Sequence, residues 1–437
     1  MNQLDNAAFT NIRYRKKHKY WLPFLLLLLG FISVNQWSSL PIGNTTSSWL
    51  LCFLILFFII KEKKESDLSF SDSNYKIVGF YLIWAAIGIV RGYFVADNYW
   101  EYKNLVSNSF SLLLPLIVFA LSVPETVRRI YRVWMIYGLI AYALFFYWQV
   151  DISAFYLAPV YFVGCFLPLI KHRWWRLLIF VLLIGLLTYH YQDNRSASIK
   201  AAVALSMALA CWGRKFISNK LLKLGAITIV VATITLLVLG ITGTFNIFSD
   251  TSSKYEGRNV LDEGDSQADI SSDTRTFIYV EVLSSAVNNN YVFFGRTPAR
   301  GNDTEFFYNL ADDLQSTRAV KNLKHERPSN EVCFPNIFTW LGLVGMLLYV
   351  AIYLYAGWLG LWKSNSYYLK VAGFVVLFNF AYGWVENTTK FDIQNIVYWT
   401  FISLCLSSKF RAMDDEAFKN WLNGIFSKKT ISKLSWQ

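Results

Sequence analysis

The sequence predicts an all-α, polytopic integral membrane protein with one large hydrophilic loop on the outer face. Three observations predict it. The 437 residues are 55% hydrophobic, 18% aromatic and only 16% charged, with positive mean hydropathy, whereas a soluble globular chain averages about a quarter charged. The apolar residues come as many runs of spanning length rather than one, which excludes a secreted protein with a single signal peptide. A soluble α/β enzyme would instead place Gly-punctuated strands between amphipathic helices. The basic residues, finally, cluster in short loops that alternate along the chain.

Those clusters are Arg13 to Lys17, Lys61 to Lys64, Arg128-Arg129, Lys171 to Arg173, Arg214-Lys215 and the segment from Lys409. The alternation is the positive-inside pattern and places both termini in the cytoplasm. It therefore assigns the net charge of +12 to contact with anionic inner-leaflet lipid and not to nucleic acid.

The spans read as 20–37, 47–60, 75–94, 104–123, 130–149, 152–170, 174–190, 197–213, 222–242, 332–355, 366–385 and 393–408. That makes about twelve transmembrane helices of roughly twenty residues. The chain divides into helices 1–9 over 1–242, a loop domain over 243–331, helices 10–12 over 332–408 and a cytoplasmic tail over 409–437. Tyr and Trp at many span ends fit an interfacial belt. There is no strong internal repeat, which counts against a transporter built from two related halves.

The loop at 243–331 has parts of different character. "SDTSSKYEGRNVLDEGDSQADISSDTR" is rich in Ser and Asp. "TFIYVEVLSSAV" reads as an amphipathic helix, "NNNYVFFGRTPARG" as a re-entrant turn and "EFFYNLADDLQSTRAVKNL" as another helix. Short amphipathic helices of this kind suit a lid over a cavity at membrane level.

Cys52, Cys165, Cys211, Cys333 and Cys405 are scattered, and four lie inside spans. They imply neither a disulfide framework nor a thiolate site, and small apolar packing residues are the expectation. No His or Asp pair has ligand spacing, so no catalytic metal is predicted.

Two outer-side arginines break local rules. Arg195 stands where the eighth helix begins, on the side that should be poor in Arg. Arg275 opens the "TFIYVEVL" helix, where a cation opposes the helix dipole. Each could pair with a nearby Asp, Asp193 or Asp273. A shared anionic ligand is the alternative, since guanidinium forks match phosphate oxygens. Arg91 and Lys103 flank the outer loop after the third span; phosphate contact and snorkelling are equally open for them.

These residues resemble a known family. Arg195-Ser-Ala-Ser-Ile199 in a short outer loop, Arg275 ahead of "FFGRTPARG" (Phe293 to Gly301), and "PSNEVCFPNIFTWLGLVG" ending in Gly342 and Gly345 stand in the order found in the O-antigen polymerase and O-antigen ligase superfamily of bacterial polysaccharide assembly. The resemblance is strongest from about residue 185 to 350. It implies a GT-C-like membrane glycosyltransferase of the bacterial inner (cytoplasmic) membrane with a periplasmic loop. The donor and acceptor it implies are glycans on undecaprenyl pyrophosphate. No metal and no cofactor would be needed, because the donor is already activated. Membrane lipid is a further partner, as is a chain-length regulator protein.

In this resemblance Arg195 and Arg275 bind pyrophosphate and Glu331 or His325 is the general base; Arg91 and Lys103 are further candidates for phosphate contact beside them. The family's ligases carry His in the last motif, where this chain reads Ser329-Asn330-Glu331. That departure favours a polymerase of O-antigen, capsule or exopolysaccharide repeat units. Transfer of finished glycan to lipid A core, and transport of a lipid-linked unit without chemistry, are the alternatives.

Overall fold

Proline and polar residues decide where the apolar runs become helices and where they break. The computed structural model describes residues 21–35, 44–65, 72–146, 153–188, 195–241, 276–304 and 325–427, and within them the chain is mostly helical. The first helices are α1 (Trp21–Asn35), α2 (Thr45–Glu65) and α3 (Lys76–Val95). Helix α4 (Tyr99–Leu113) is capped by Asn98, whose side chain accepts from the Trp100 and Glu101 amides. It tightens at Leu114-Pro115-Leu116 and continues as α5 (Ile117–Leu121), because Pro115 cannot extend the α-helical bond ladder.

Helix α6 (Pro124–Val133) follows. Two π-helical turns, Trp134–Gly138 and Tyr142–Phe146, flank α7 (Leu139–Ala141). The expected span at 152–170 is short and broken: α8 (Ser153–Tyr156), α9 (Ala158–Cys165) and a 3₁₀ turn at Leu167–Leu169. Pro159 and Pro168 start the later two pieces, as proline does at a first helical turn. Next come α10 (Arg173–Thr188), α11 (Arg195–Trp212) and α12 (Asn219–Ile241), then α13 (Thr276–Asn288). The last group is α14 (Cys333–Trp362), α15 (Tyr367–Tyr382), α16 (Ile393–Leu406), α17 (Ser408–Arg411) and α18 (Asp415–Asn423).

Among the described residues five helical stretches are long and apolar enough to cross a membrane: Thr45–Lys64, Lys76–Val95, Tyr99–Leu121, Asn219–Leu239 and Cys333–Trp362. Trp21–Ile32, Ser196–Trp212, Tyr367–Tyr382 and Ile393–Leu406 are apolar but shorter. Helices α14, α15 and α16 pack together at the centre with α3, and α12 lies outside against α15. Large apolar side chains remain exposed along α2, α3, α10 and α12, a distribution suited to hydrocarbon rather than water.

Helix α13 departs from a simple amphipathic reading. It buries Ile278, Val282 and Ala286 against Val332 and Phe338, yet its other face exposes Val280, Leu283 and Val287. One further difference is a two-residue antiparallel ladder of β1 (Asn302–Asp303) with β2 (Glu326–Arg327), which an all-α reading does not contain. The segment expected as a helix at 305–323 lies outside the described residues.

The basic loops converge on one end of the bundle, around α18. Thr126 bonds Glu62 at 2.6 Å, the Arg132 guanidinium reaches the Gly424 and Ile425 carbonyls, and the Lys171 amide reaches Asn423 at 2.7 Å. Arg214 pairs with Asp415, which also accepts from the Tyr367 amide.

Candidate functional site

The opposite end is built on a broken helix. Gly342 interrupts α14 with φ 69° and ψ −171°, a conformation that strongly favours glycine. The break frees backbone groups, and the 291–301 turn takes them up. The Arg296 amide donates to the Thr339 carbonyl at 2.7 Å and the Thr297 amide to Trp340 at 3.2 Å. In return the Leu343 amide reaches the Val292 carbonyl at 2.8 Å. The Trp84 indole of α3 covers the Leu341 carbonyl at 2.9 Å and lies against the Phe294 ring. Trp84 is eleven residues before the end of α3 at Val95, about 16 Å along a helix rising 1.5 Å per residue. The turn therefore reaches deep between the helices, where irregular backbone is tolerated only if protein satisfies it.

Charge holds the two ends of that turn. Glu326 on β2 is buried between two guanidiniums: Arg296 at 2.9 Å and Arg300, whose Nε lies 2.8 Å from Oε2. Arg296 also bonds Asp303 at 2.6 Å, and buried Glu101 lies 3.9 Å from Arg300. Burial alone would raise the Asp303 carboxyl, but Arg296, Asn289 and Ser285 outweigh it and hold the group below the usual carboxylate range. Hydrogen bonding to Glu326 pushes the Arg300 guanidinium up. The cations and carboxylates of the turn thus form a paired network rather than an open anion site.

A second polar cluster sits beside it, under the 383–392 segment that joins α15 to α16. The two regions touch. The Cys333 amide donates to the Gly383 and Glu386 carbonyls, and Asn387 Nδ2 donates to the Asn330 carbonyl at 3.0 Å. The Glu386 carboxylate points to the first turns of α11: Ser196 Oγ donates to it at 3.1 Å and Lys200 Nζ lies 3.8 Å away. Tyr382 Oη donates to Ser196 Oγ at 2.8 Å, and the Lys200 ammonium lies over the Tyr382 ring. Lys200 is buried. Asp392 caps α16, and burial pushes its carboxyl up to about 6 against the pull of the Asn395 amide, Lys390 and Lys200. Tyr398 is buried among Tyr382, Glu386, Tyr161 and Asp392, and its hydroxyl has no hydrogen-bond partner among the described residues.

The sequence-derived candidates fall unevenly on this frame. Arg195 is the first residue of α11, one position before Ser196; its side chain is outside the described residues, as is Arg275 entirely. Arg91 is committed to protein, donating to the Phe294 and Gly295 carbonyls at 2.8 and 3.2 Å. Lys103 lies 5.1 Å over the Trp100 ring. Glu331 is 64% exposed and 3.4 Å from Arg327. It does not cap α14, whose N-cap is Val332 without a side-chain cap bond. His325 stands in a left-handed turn (φ 61°) before β2, not on a helix, and its carbonyl accepts from the Thr304 amide.

Sequence reasoning missed Lys200, Glu386 and Asp392 as a group, and Arg296, Arg300 and Glu326 as another. Two signals were present. "RSASIK" puts a lysine inside an otherwise apolar helix, and an ionisable residue there is expensive unless paired. "WVENTTKFD" interrupts two spans with alternating charge. No family model, no curated protein and no solved structure matches the chain.

Proposed function

We propose that the chain is a membrane glycosyltransferase that polymerises oligosaccharide repeat units carried on undecaprenyl pyrophosphate. In this reading it has about twelve spans, both termini lie in the cytoplasm of a bacterium, and the site faces the periplasm across the inner membrane. The observation that carries the reading is the convergence of three segments at one end of the bundle. The first turns of α11 carry the Arg195-Ser-Ala-Ser-Ile199 phrase, and Ser196 and Lys200 meet Glu386. The 325–332 segment meets the same loop through Asn330 and Asn387. The basic loops lie at the other end, as a periplasmic site requires.

Glycosyl transfer from a lipid pyrophosphate needs cations for the departing diphosphate and a group to take the acceptor proton. Arg195 and Arg275 serve the first role here, and Glu331 and His325 are the sequence-derived candidates for the second. Arg91, which bonds the turn carbonyls, and Lys103, over the Trp100 ring, are further candidates for phosphate contact.

The break at Gly342 favours a transporter as the second reading, since discontinuous helices often line substrate paths. In this chain, however, the backbone groups at the break are engaged by residues 292–297 and Trp84 rather than left for an ion. Deleting the gene and analysing lipid-linked glycans separates the readings. Single repeat units accumulating on the carrier at the periplasmic face support a polymerase. Long chains on the carrier would indicate a ligase, and units trapped at the cytoplasmic face a transporter.

A further inference from the structure

We propose that Glu386, held between Ser196 and Lys200, is the carboxylate that takes the proton from the acceptor sugar hydroxyl, in place of Glu331; the assignment rests on the glycosyltransferase reading. Four observations support it. Its side chain is about a quarter exposed (26%), enough to reach a ligand while remaining shielded. By contrast Glu331 lies on the rim, mostly in solvent and beside Arg327. Glu386 is also oriented, as a positioned base must be: the Ser196 hydroxyl donates to one oxygen, and Tyr382 in turn fixes that hydroxyl. The buried Lys200 ammonium lies 3.8 Å from the same oxygen and holds the carboxylate from a second side. Finally, Tyr398 in the same cluster interacts with Glu386, and its buried hydroxyl is unpartnered among the described residues.

The step balances without a co-reactant. The acceptor O–H gives its proton to Glu386 as the oxygen forms a bond to the donor's anomeric carbon. The bond from that carbon to the diphosphate oxygen breaks, and its electron pair leaves on the diphosphate. The protonated carboxyl returns its proton to solvent through its exposed edge. Glu386 accepts from Ser196, the residue that follows Arg195 on α11.

Lys200 and Ser196 from α11 face Glu386 directly, and Tyr398 from α16 interacts with it; Tyr382 from α15 joins through Ser196, Asp392 and Lys390 of the linking segment through Lys200, and Tyr161 from α9 through Tyr398. A structural clamp joining α11 to α15 is the competing role. Glu386→Gln would preserve the bond from Ser196, so a clamp would keep its activity per folded molecule.

The test uses the purified full-length protein in lipid nanodiscs and lipid-linked repeat units extracted from the deletion strain, with product length read on gels. Wild-type protein extends chains. Glu386→Gln loses about 10² to 10⁴ of the rate, as expected for a positioned base, while retaining the lipid-linked donor in a pull-down; Glu386→Asp recovers part. A Glu386→Gln rate near wild type, with extension by the wild-type protein, overturns the assignment and leaves the polymerase standing. No extension by wild type overturns the polymerase reading and the assignment with it. Should Glu386→Gln fail to accumulate, Lys200→Met decides. Removing the ammonium that holds the carboxylate loosens the base, so the extension rate falls while the lipid-linked donor is still retained. An unchanged extension rate in Lys200→Met overturns the proposal.

Discussion

Gly295 and Gly342 face each other so closely that neither has room for a side chain. A Cβ on Gly342 would run into the Phe293 carbonyl and the Gly295 amide, and one on Gly295 would strike the backbone of Trp340 to Gly342. Both have positive φ, 71° and 69°. The pair is the hinge pin of the re-entrant turn.

Gly342→Ala and Gly295→Ala should each destabilise the protein by more than the roughly 1–3 kcal/mol of backbone strain alone, since backbone must also move. Gly185, whose added Cβ would meet nothing within 4 Å, is the control, and its Ala variant should match wild type. Thermal unfolding in detergent measures the difference. Equal midpoints for all three variants would contradict the close approach.

Glu326 is the shared partner of two partly buried guanidiniums. Breaking a buried pair from one side costs about 3–5 kcal/mol, so Glu326→Gln should lower accumulation and thermal midpoint sharply. Glu331→Gln, at an exposed pair, should destabilise by less than about 1 kcal/mol. Similar shifts in the two variants would show that the Glu326 network does not hold the turn.

The depressed carboxyl of Asp303 fixes the sign of an acid response. Its contribution is fully present above the unfolded value of 3.8 and is lost as pH falls through the lower folded value. Stability should therefore decline below about pH 4, and Asp303→Asn should flatten that part of the curve. Unfolding midpoints measured from pH 7 down to pH 3 check it; a curve of unchanged slope in the Asn variant would assign the acid loss elsewhere.

Under the proposed function, Arg195→Ala and Arg275→Ala should each abolish chain extension while the protein still accumulates in the membrane. Lys at either position should restore only part, because an ammonium lacks the planar fork. Polymer length in a complemented deletion strain reports the outcome, and normal length in either Ala variant would make that arginine structural.

Reporter fusions at 172 and 216 should give cytoplasmic signals and a fusion at 300 a periplasmic one, following the basic loops. A cytoplasmic signal at 300 would place the polar end of the bundle on the wrong side for a lipid-linked glycan.

The sequence made the helical character legible because apolar runs of spanning length admit few alternatives in lipid. The re-entrant turn was also legible, from Gly, Pro and Asn density in "NNNYVFFGRTPARG". Its depth was not, because depth depends on the backbone break at Gly342, and a motif glycine inside an apolar run does not announce a positive φ. The broken span at 152–170 was obscured for a related reason: hydropathy windows average across Pro159 and Pro168. The Lys200–Glu386 pair joins positions 186 residues apart, a contact that no local pattern records. Glu331 drew notice because it stood next to a motif, whereas its exposure is a tertiary property.

Helix α18 adds a consequence for how the molecule is made. Its Asp415, Asn423 and the Gly424 carbonyl bind Tyr367, Arg214, Lys171 and Arg132, and its Trp421 indole reaches the Pro124 carbonyl at 2.8 Å. Those partners all lie earlier in the chain, from Pro124 to Tyr367. Under the proposed topology these particular bonds of the basic end therefore form only after residues 415–424 have been made. Chains truncated before Asp415 should insert normally and then fall to membrane quality control, a biogenesis defect that leaves every residue of the opposite end intact.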